Sequence, residues 1–413
     1  MKRVLIIVPF EKIYPPINGG MQRFFHIIHQ LAIHAELTLI TKQEKAEFLL
    51  AKDEYPAIEN VNILSTKDAP KPKDIFNLLP EKLQKALRYR WYKKNIKGPA
   101  DGDYLDYYPI VKELLQKEKF YTVILESPAT LNAASLIRKY DKKAKIIFDA
   151  HNVNTNLDAA FLEKKEISSA RYLNTRRVES ELYKTVDGVL ACSKKDKDDF
   201  DSLNDGKLAI SVIPNGVTVN DKLCDAGVRS ENPEHILFCG YLSSRPNSEG
   251  LYWFYRSIWP MVQKAYPQLK LLVVGSGKLP AEMNDLLNDE GLIFTGSVED
   301  VKPYYSQSAI SIVPLKTGSG TRLKILEAMS FGVPVVSTSQ GAEGIDYTNG
   351  FDIIIADEEQ LFAEQIIHLL KDNEQRLMIQ KNARALVERK YDWNIIGHEL
   401  LEVINLIDIK RAV

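Results

Sequence analysis

Short runs of β-branched and other apolar residues alternate with longer amphipathic segments along the whole chain, and this alternation constrains the fold more than any other feature. A strand that is apolar at successive positions, rather than at every second one, has to be buried on both faces. Such strands belong to parallel sheets covered by helices. In the first half the pattern predicts strands at Arg3–Val8, Leu37–Thr41, Thr122–Glu126, Lys145–Asp149, Gly188–Cys192 and Ala209–Ile213. In the second half it predicts His235–Cys239, Lys270–Val274, Leu292–Thr295, Ile310–Pro314, Pro334–Ser337 and Asp352–Ile355, with helices between them. Both halves therefore read as α/β. The stretch Asn215–Pro233 is rich in turn residues and mixed charge and has little apolar period, so the domain junction is expected there. This gives a first domain over 1–220, a second over 221–392, and a last helix over 393–413. That helix has Ile396, Leu400, Ile404 and Ile407 at helical spacing and is expected to pack across both domains.

Composition narrows the classes of function. The 413 residues carry 54 Lys+Arg against 55 Asp+Glu and are 45% hydrophobic, which excludes a disordered chain, a strongly basic nucleic-acid binder and an acidic tail protein. Cys192, Cys224 and Cys239 form no CxxC or Cys/His ligand cluster, so a reducing cytosol is expected rather than a disulfide scaffold. The opening MKRVLIIVPF reads as a buried strand, because its apolar run stops at Pro9, too soon for a signal-peptide core. No uncharged apolar run approaches the roughly 18 residues of a membrane-spanning helix, which leaves attachment to a membrane surface open.

The most informative stretch is PLKTGSGTRLKILEAMSFGVPVV, Pro314 to Val336. A strand runs into Gly318-Ser319-Gly320 and then, through Thr321, into a strongly helical segment. Backbone N–H groups at such a helix start favour an anion, and Arg322 and Lys324 add positive charge. Lys324 and Glu327 share a face, so a cation sits near the helix start with a carboxylate one turn later, suited to two ribose hydroxyls. The plainer reading is that the two side chains pair on a solvated surface. Neither a Walker loop nor a GxGxxG fingerprint occurs; Gly275-Ser276-Gly277 reads as a strand-end turn facing the same crevice. Near the N-terminus, Pro15 to Gly20 lead into a helix whose start is open to an anion. FDAHNV places Asp149, His151 and Asn152 just past a strand, at the sheet edge where α/β proteins hold ligands. His151 there can bond a substrate hydroxyl or act as an ordinary capping histidine. No GxSxG supports a nucleophilic triad, and Asp196, Asp198 and Asp199 read as solvated charges rather than metal ligands.

The segment KLQKALRYRWYKKNIK, 82 to 97, has seven cations and no acid, with aromatics interleaved. Lys85, Arg88, Arg90, Trp91, Lys93 and Lys94 form a candidate patch for anionic lipid headgroups or an anionic acceptor, each cation contributing about 1 kcal/mol near a charged surface. The plainer reading is a solvated helix face.

Taken in order, the PPINGG loop, FDAHNV, CSKKD, IPNGV, FCGYLSSRPNSEGLYWF, VVGSG, FTGSVEDVKPYYSQSAISIVPL and GSGTRLKILEAMSFGVPVVST resemble the family 4 nucleotide-sugar-dependent glycosyltransferases, in the subgroup with SGTRLKILEAM. The resemblance covers nearly the whole chain. It implies the GT-B architecture, two facing Rossmann-like domains with the C-terminal helix crossing back to the first. It implies transfer of a sugar from a nucleoside diphosphate sugar to an acceptor hydroxyl with retention, in glycan or polysaccharide synthesis. Glu327 then matches the ligand of the donor ribose, Arg245 and Lys324 match the basic pair on the pyrophosphate, and Arg322 is their neighbour. Gly19 and Gly20 match positions that bring backbone N–H groups against the donor phosphates or the acceptor, and His151 matches the position near the reacting sugar. Gly296, Ser297 and Val298 resemble the loop that receives the nucleobase. One departure stands out: many members carry a Glu on the donor sugar where this chain has Ser319, so backbone N–H groups of Gly318 to Thr321 are expected to take over part of that contact.

The resemblance further implies that no metal or other cofactor is required. Expected partners are a nucleotide sugar, a glycan or lipid-linked acceptor and an anionic membrane surface, not nucleic acid, and the expected location is cytoplasmic, peripheral on the inner face of the membrane. Two alternatives remain: a sugar-nucleotide epimerase of the same architecture, and a non-catalytic binding subunit. An NAD-dependent dehydrogenase is disfavoured by the missing glycine fingerprint. Donor base and sugar, acceptor, linkage and oligomeric state are not specified by these residues.

Overall fold

The computed structural model describes residues 2–68, 80, 83, 104–161, 170–219, 226–318 and 320–407. The chain divides into two compact units, Met1–Ile213 with Gly397–Val413, and Pro214–Ile396. The first unit is built on β1 (Arg3–Ile7), β2 (Glu36–Thr41), β3 (Asn62–Ser65), β4 (Thr122–Glu126), β5 (Lys145–Ala150), β6 (Gly188–Ala191) and β7 (Ala209–Val212). They form one sheet in the order β3-β2-β1-β4-β5-β6-β7, with every neighbouring pair parallel. Helices α1 (Gly19–His34), α2 (Asn154–Phe161) and α3 (Ala170–Ser180) belong to this unit. The second sheet holds β8 (His235–Cys239), β9 (Lys270–Val274), β10 (Leu292–Gly296), β11 (Ile310–Val313), β12 (Val335–Ser337) and β13 (Ile354–Ile355). Its order is β10-β9-β8-β11-β12-β13, again all parallel. Helices α4 (Arg245–Trp253) and α5 (Leu323–Phe331) flank it.

The continuous apolar runs have the physical consequence expected of them. In the second sheet Ile236, Phe238, Leu271 and Val273 pack into one core, while Leu237, Leu272 and Val274 pack into another on the opposite face. In the first sheet Leu5, Ile7, Val123 and Leu125 share a core, and the alternate residues Val4, Ile6 and Ile124 are also buried. The central strands thus bury both faces, with backbone bonds to parallel neighbours, while the edge strands β7 and β10 are partly exposed. One strand escapes the sequence pattern: β3 is an edge strand of four residues, in which Asn62 is exposed and only alternate positions are buried.

The last helix, α6 (Trp393–Leu406), contains the division between the units. Within the first unit, Lys145 Nζ donates to the carbonyls of Ile404 (3.1 Å) and Asn405 (2.9 Å), capping the carboxyl end of α6. The candidate membrane patch Lys85, Arg88, Arg90, Trp91, Lys93 and Lys94 lies outside the described residues. Among the described residues no helix is long and apolar enough to cross a membrane.

Each sheet reverses its strand order once, between β1 and β4 and between β8 and β11. Loops leaving the carboxyl ends of two such strands run to opposite sides of the sheet, so these are the places where α/β proteins take ligands. In the second unit the approach is close enough to require glycine. Gly275 has φ of +143°, and a Cβ there would lie 2.0 Å from the Gly240 carbonyl oxygen. Gly275→Ala is expected to destabilise the second unit by about 3 kcal/mol, combining strain at positive φ with backbone overlap. Chemical denaturation followed by tryptophan fluorescence measures it.

Candidate functional site

In the second unit the reversal brings together the β8–α4 loop and the β11–α5 loop. Helix α5 begins at Leu323 with Arg322 as its N-cap; among the described residues no side chain caps it, and the Ile325 N–H closes the first turn onto the Arg322 carbonyl at 2.9 Å. It ends at Gly332, whose left-handed conformation (φ +77°) turns the chain into β12. Lys324 and Glu327 do not pair with each other. Lys324 Nζ donates to Asn247 Oδ1 at 2.8 Å, and its ammonium stands over the Phe238 ring at 5.0 Å. Burial pushes its pKa down to about 8, with Arg322 acting in the same direction and Cys239 and Glu327 opposing. The Glu327 carboxylate accepts from the Tyr305 hydroxyl at 3.1 Å. Burial raises its pKa, and the Tyr305 bond pulls it back. Gly240 makes room for this arrangement: a Cβ there would come within 2.6 Å of Lys324 Nζ.

The other residues expected at this site fall around it. Gly318 and Gly320 both have positive φ, and the Gly318 carbonyl accepts from Gln340 Nε2 at 2.7 Å. Arg322 packs its guanidinium against Gly318; burial lowers its pKa, against the raising effect of Glu343. The Thr321 hydroxyl is buried with no hydrogen-bond partner among the described residues. Ser319 lies outside the described residues. Gly296 has φ of +70°, and its carbonyl accepts from the Gly275 N–H at 3.1 Å. Ser297 follows it, and Val298 packs against the core that contains Tyr305 and Ile325. Arg245 opens α4 but is exposed, with its Nε bonded to Glu249 Oε1 at 2.7 Å. Among the described residues no hydrogen bond or ion pair joins Arg245 to Lys324 or Glu327. Asn247, two residues on, is the α4 side chain that meets Lys324.

In the first unit the reversal frames a cavity of about 270 Å³, lined among others by Phe10, Asn18, Gly20, Phe24, Ser127 and His151. The loop after β1 is shaped by buried Gln43, whose Oε1 accepts from the N–H groups of Ile13 and Tyr14 while its Nε2 donates to the Tyr14 carbonyl. Helix α1 begins at Gly19, and Asn18 Oδ1 accepts from the Met21 N–H at 3.0 Å. That start is therefore part-capped rather than fully open. Gly20 sits beside His151, whose Nδ1 would lie 3.8 Å from a Cβ at position 20. The His151 ring meets Phe24 edge-on, with centroids 4.2 Å apart, and its Nε2 is 3.3 Å from Glu126 Oε2. Burial pushes the His151 pKa down to about 4.

Beneath the cavity Asp149 is fully buried and takes a forked contact from Arg23, whose Nε lies 3.1 and 3.0 Å from the two carboxylate oxygens. Arg23 NH1 donates to the Ile213 carbonyl at 2.8 Å. Glu179 fixes the turn after His151, accepting from the N–H groups of Asn154 and Thr155 (both 2.8 Å) and from the Thr155 hydroxyl (2.6 Å). Ser127, next to Glu126, has φ of +85°, a strained geometry that such sites retain. Glu126, Asp149 and His151 offer three ligand-type atoms within 4.8 Å of one another. Arg23 already engages both Asp149 oxygens with positive charge, however, so the donor set does not suit a cation. Asp196, expected to be solvated, is instead buried at the start of the helix Lys194–Leu203, where Ser193 Oγ donates to its carboxylate at 2.6 Å.

Arg23, Glu126, Glu179, Asn247 and Tyr305 were not singled out by the sequence. Glu126 closes the apolar run TVILE, whereas Glu179, Asn247 and Tyr305 stand in the polar stretches RRVESE, SRPNSE and KPYYSQ, which carry no local signal of a site.

Two all-parallel α/β units, each with its polar side chains gathered at the strand-order reversal, place the chain in the fold class of two Rossmann-like domains known as GT-B. Among solved structures it is similar to the Anabaena protein HepE in complex with UDP and glucose, at 14% identity, with 98% of this chain and 100% of that chain covered and a TM-score of 0.67. It is also similar to sucrose-phosphate synthase from Thermosynechococcus elongatus (14% identity, 98% of each chain, TM-score 0.66). Residues 233–372 match the model of the family described as glycosyl transferases group 1. Among curated proteins, an uncharacterized 44.6 kDa protein in the cps region of Klebsiella pneumoniae is 34% identical over 38% of this chain and 42% of its own length. A GDP-mannose-dependent monoacylated alpha-(1-6)-phosphatidylinositol monomannoside mannosyltransferase of Corynebacterium glutamicum is 31% identical over 35% of this chain and 41% of its own. A phosphatidyl-myo-inositol mannosyltransferase of Propionibacterium freudenreichii is 27% identical over 57% and 60%. The chain thus spans about two fifths of the length of the first two relatives.

Removing Arg23 leaves Asp149 charged and uncompensated in the interior. Arg23→Leu is expected to lower stability by about 3–5 kcal/mol, whereas Arg23→Leu/Asp149→Leu recovers most of that loss. A double-mutant cycle by urea denaturation reads the coupling.

Proposed function

We propose that the chain is a retaining glycosyltransferase that moves a sugar from a nucleoside diphosphate sugar to a hydroxyl of a glycan or lipid-linked acceptor, in the synthesis of a cell-surface glycan or polysaccharide. The observation that carries this reading is the start of α5: a helix start with no side-chain cap among the described residues, Lys324 tied to Asn247, and Glu327 tied to Tyr305, all inside the segment that matches the glycosyl transferases group 1 model. A diphosphate suits the first two elements and a ribose diol suits the third. As the C1–O bond to the leaving diphosphate breaks, negative charge grows on its oxygens. Lys324 and the helix start stabilise that charge without having to reorganise. Arg322 adds positive charge nearby, and Arg245 can join only by leaving Glu249. Glu327 holds the ribose, Gly296 to Val298 flank the base, and Gly318, Gly320 and Thr321 line the sugar side of the loop. His151, with Gly19 and Gly20, is the first unit's contribution to the reacting sugar. The names of the two mannosyltransferase relatives support a lipid-linked acceptor.

A thermal-shift screen of UDP, GDP, ADP and CMP derivatives identifies the base, because a bound ligand raises stability by mass action. Transfer is then assayed with and without acceptor; sugar rearrangement without acceptor would point to the epimerase instead. Lys324→Ala is expected to weaken nucleotide binding by about 1.5–3 kcal/mol, the worth of a charge-assisted hydrogen bond, and to abolish transfer. The free protein loses the Lys324 proton near pH 8, so wild-type affinity falls as pH rises through that value. Lys324→Ala lacks this dependence, and calorimetry across pH 6 to 9 shows the difference. Tyr305→Phe keeps the fold but frees Glu327, raising KM for the donor several-fold, on the order of 1 kcal/mol, with kcat little changed.

A further inference from the structure

We infer that Glu126 is a positioning residue for His151: it stays uncharged, directs its carboxyl proton at Asp149 and accepts the Nε2–H of His151, so that the imidazole presents Nδ1 to the cavity as a hydrogen-bond acceptor. His151 as a group near the reacting sugar rests on the function proposed above; its tautomer and the charge of Glu126 do not.

The geometry leaves few arrangements. Glu126 is fully buried at the end of β4. Its Oε2 faces His151 Nε2 at 3.3 Å, and its Oε1 is buried with no hydrogen-bond partner among the described residues. An ionised carboxylate would leave that oxygen bare in the interior, which is costly. A carboxylic acid with its proton on Oε1 instead needs an acceptor, and the neighbouring carboxylate of Asp149 is one. Asp149 is the ionised member, because the Arg23 fork lies on it. The charged and titratable groups facing Glu126 are Asp149, Arg23 and His151, with the Cys192 thiol donating to the Ala150 carbonyl behind them. Burial first, and then repulsion by Asp149, hold the Glu126 carboxyl well above the usual carboxylate range. The His151 pKa near 4 keeps the ring neutral at physiological pH. A neutral ring that gives its one N–H to Glu126 has its lone pair on Nδ1, on the side of Gly20 and the cavity. Such a nitrogen accepts from a hydroxyl and repels an anionic oxygen. The cavity is thereby matched to a sugar or polyol hydroxyl rather than to a phosphate or carboxylate.

The test uses the full chain labelled with nitrogen-15 histidine, with the His151 signals assigned by their loss in His151→Asn. At neutral pH the wild type is expected to show a neutral ring protonated on Nε2. The infrared spectrum is expected to contain a protonated-carboxyl band that Glu126→Gln removes. Glu126→Gln, whose amide can accept from His151 and donate to Asp149, keeps the tautomer; Glu126→Met scrambles it. Where transfer is measurable, Glu126→Met lowers kcat on the order of 10- to 100-fold with donor KM unchanged, and Glu126→Gln restores it. A ring protonated on Nδ1, a charged imidazolium, or no carboxyl band lost in Glu126→Gln would overturn the inference. All three are read in wild-type and near-isosteric proteins, so poor folding of Glu126→Met does not blunt the test. Absence of transfer in the wild type would instead count against the proposed function, while the tautomer and the carboxyl band would still decide the role of Glu126.

Discussion

A cation and a carboxylate on the first turns of one helix would ordinarily neutralise each other, and the second unit is built so that they do not. Lys324 is drawn to Asn247 on α4, and Glu327 is held by Tyr305 from the helix Lys302–Ser306. Both anchors are uncharged, so each charge keeps its capacity for a ligand. The arrangement requires the β8 loop to come within touching distance of Lys324, which only a residue without Cβ at Gly240 allows. It also requires Gly275 to let the β9 loop lie against Gly240. The glycines, the two anchors and the uncapped start of α5 are thus parts of one solution to a single problem: keeping opposite charges apart in a part-buried place.

The first unit solves the opposite problem at the equivalent place in its sheet. Its charges are neutralised internally by the fork of Arg23 on Asp149, and the group that reaches the cavity, His151, is neutral. Aromatic rings from Phe10 and Phe24, stacked with centroids 4.8 Å apart, adjoin it. A neutral polar surface beside aromatic faces suits hydroxylated rings, while a charged surface at a helix start with no side-chain cap suits a diphosphate. The same sheet topology therefore presents two chemically distinct surfaces, and the difference lies in whether the local charges find partners within the protein.

Much of the fold was legible because strands buried on both faces leave an unambiguous apolar run. β3 was not, since an edge strand needs only Ile63 and its neighbour Val61 in the core while Asn62 faces water. In the site, Lys324, Glu327 and the glycines were legible because helix periodicity fixes which residues share a face and because loop glycines are local. Asn247, Tyr305, Glu126 and Arg23 act through partners 22 to 126 residues away, and no local pattern encodes such pairings. Arg245 shows the reverse case. Its place at the start of α4 follows from the sequence, but the (i, i+4) partner Glu249 that engages it competes with any role at the site.

Burial has an effect on the second site that its sequence could not reveal. It lowers the Lys324 pKa and raises that of Glu327, so without a ligand both groups are shifted toward neutrality. A diphosphate favours the ammonium form of Lys324, and ribose hydroxyls, which donate, favour the carboxylate form of Glu327. On the proposed function, nucleotide binding therefore opposes both shifts, favouring proton uptake at Lys324 and proton release at Glu327. Lys324 is the group whose proton step falls near pH 8, because burial brings its pKa down to about 8. A site of this kind gains selectivity from its own burial: a molecule that offers only the anion or only the diol reverses one of the two shifts and leaves the other charge uncompensated.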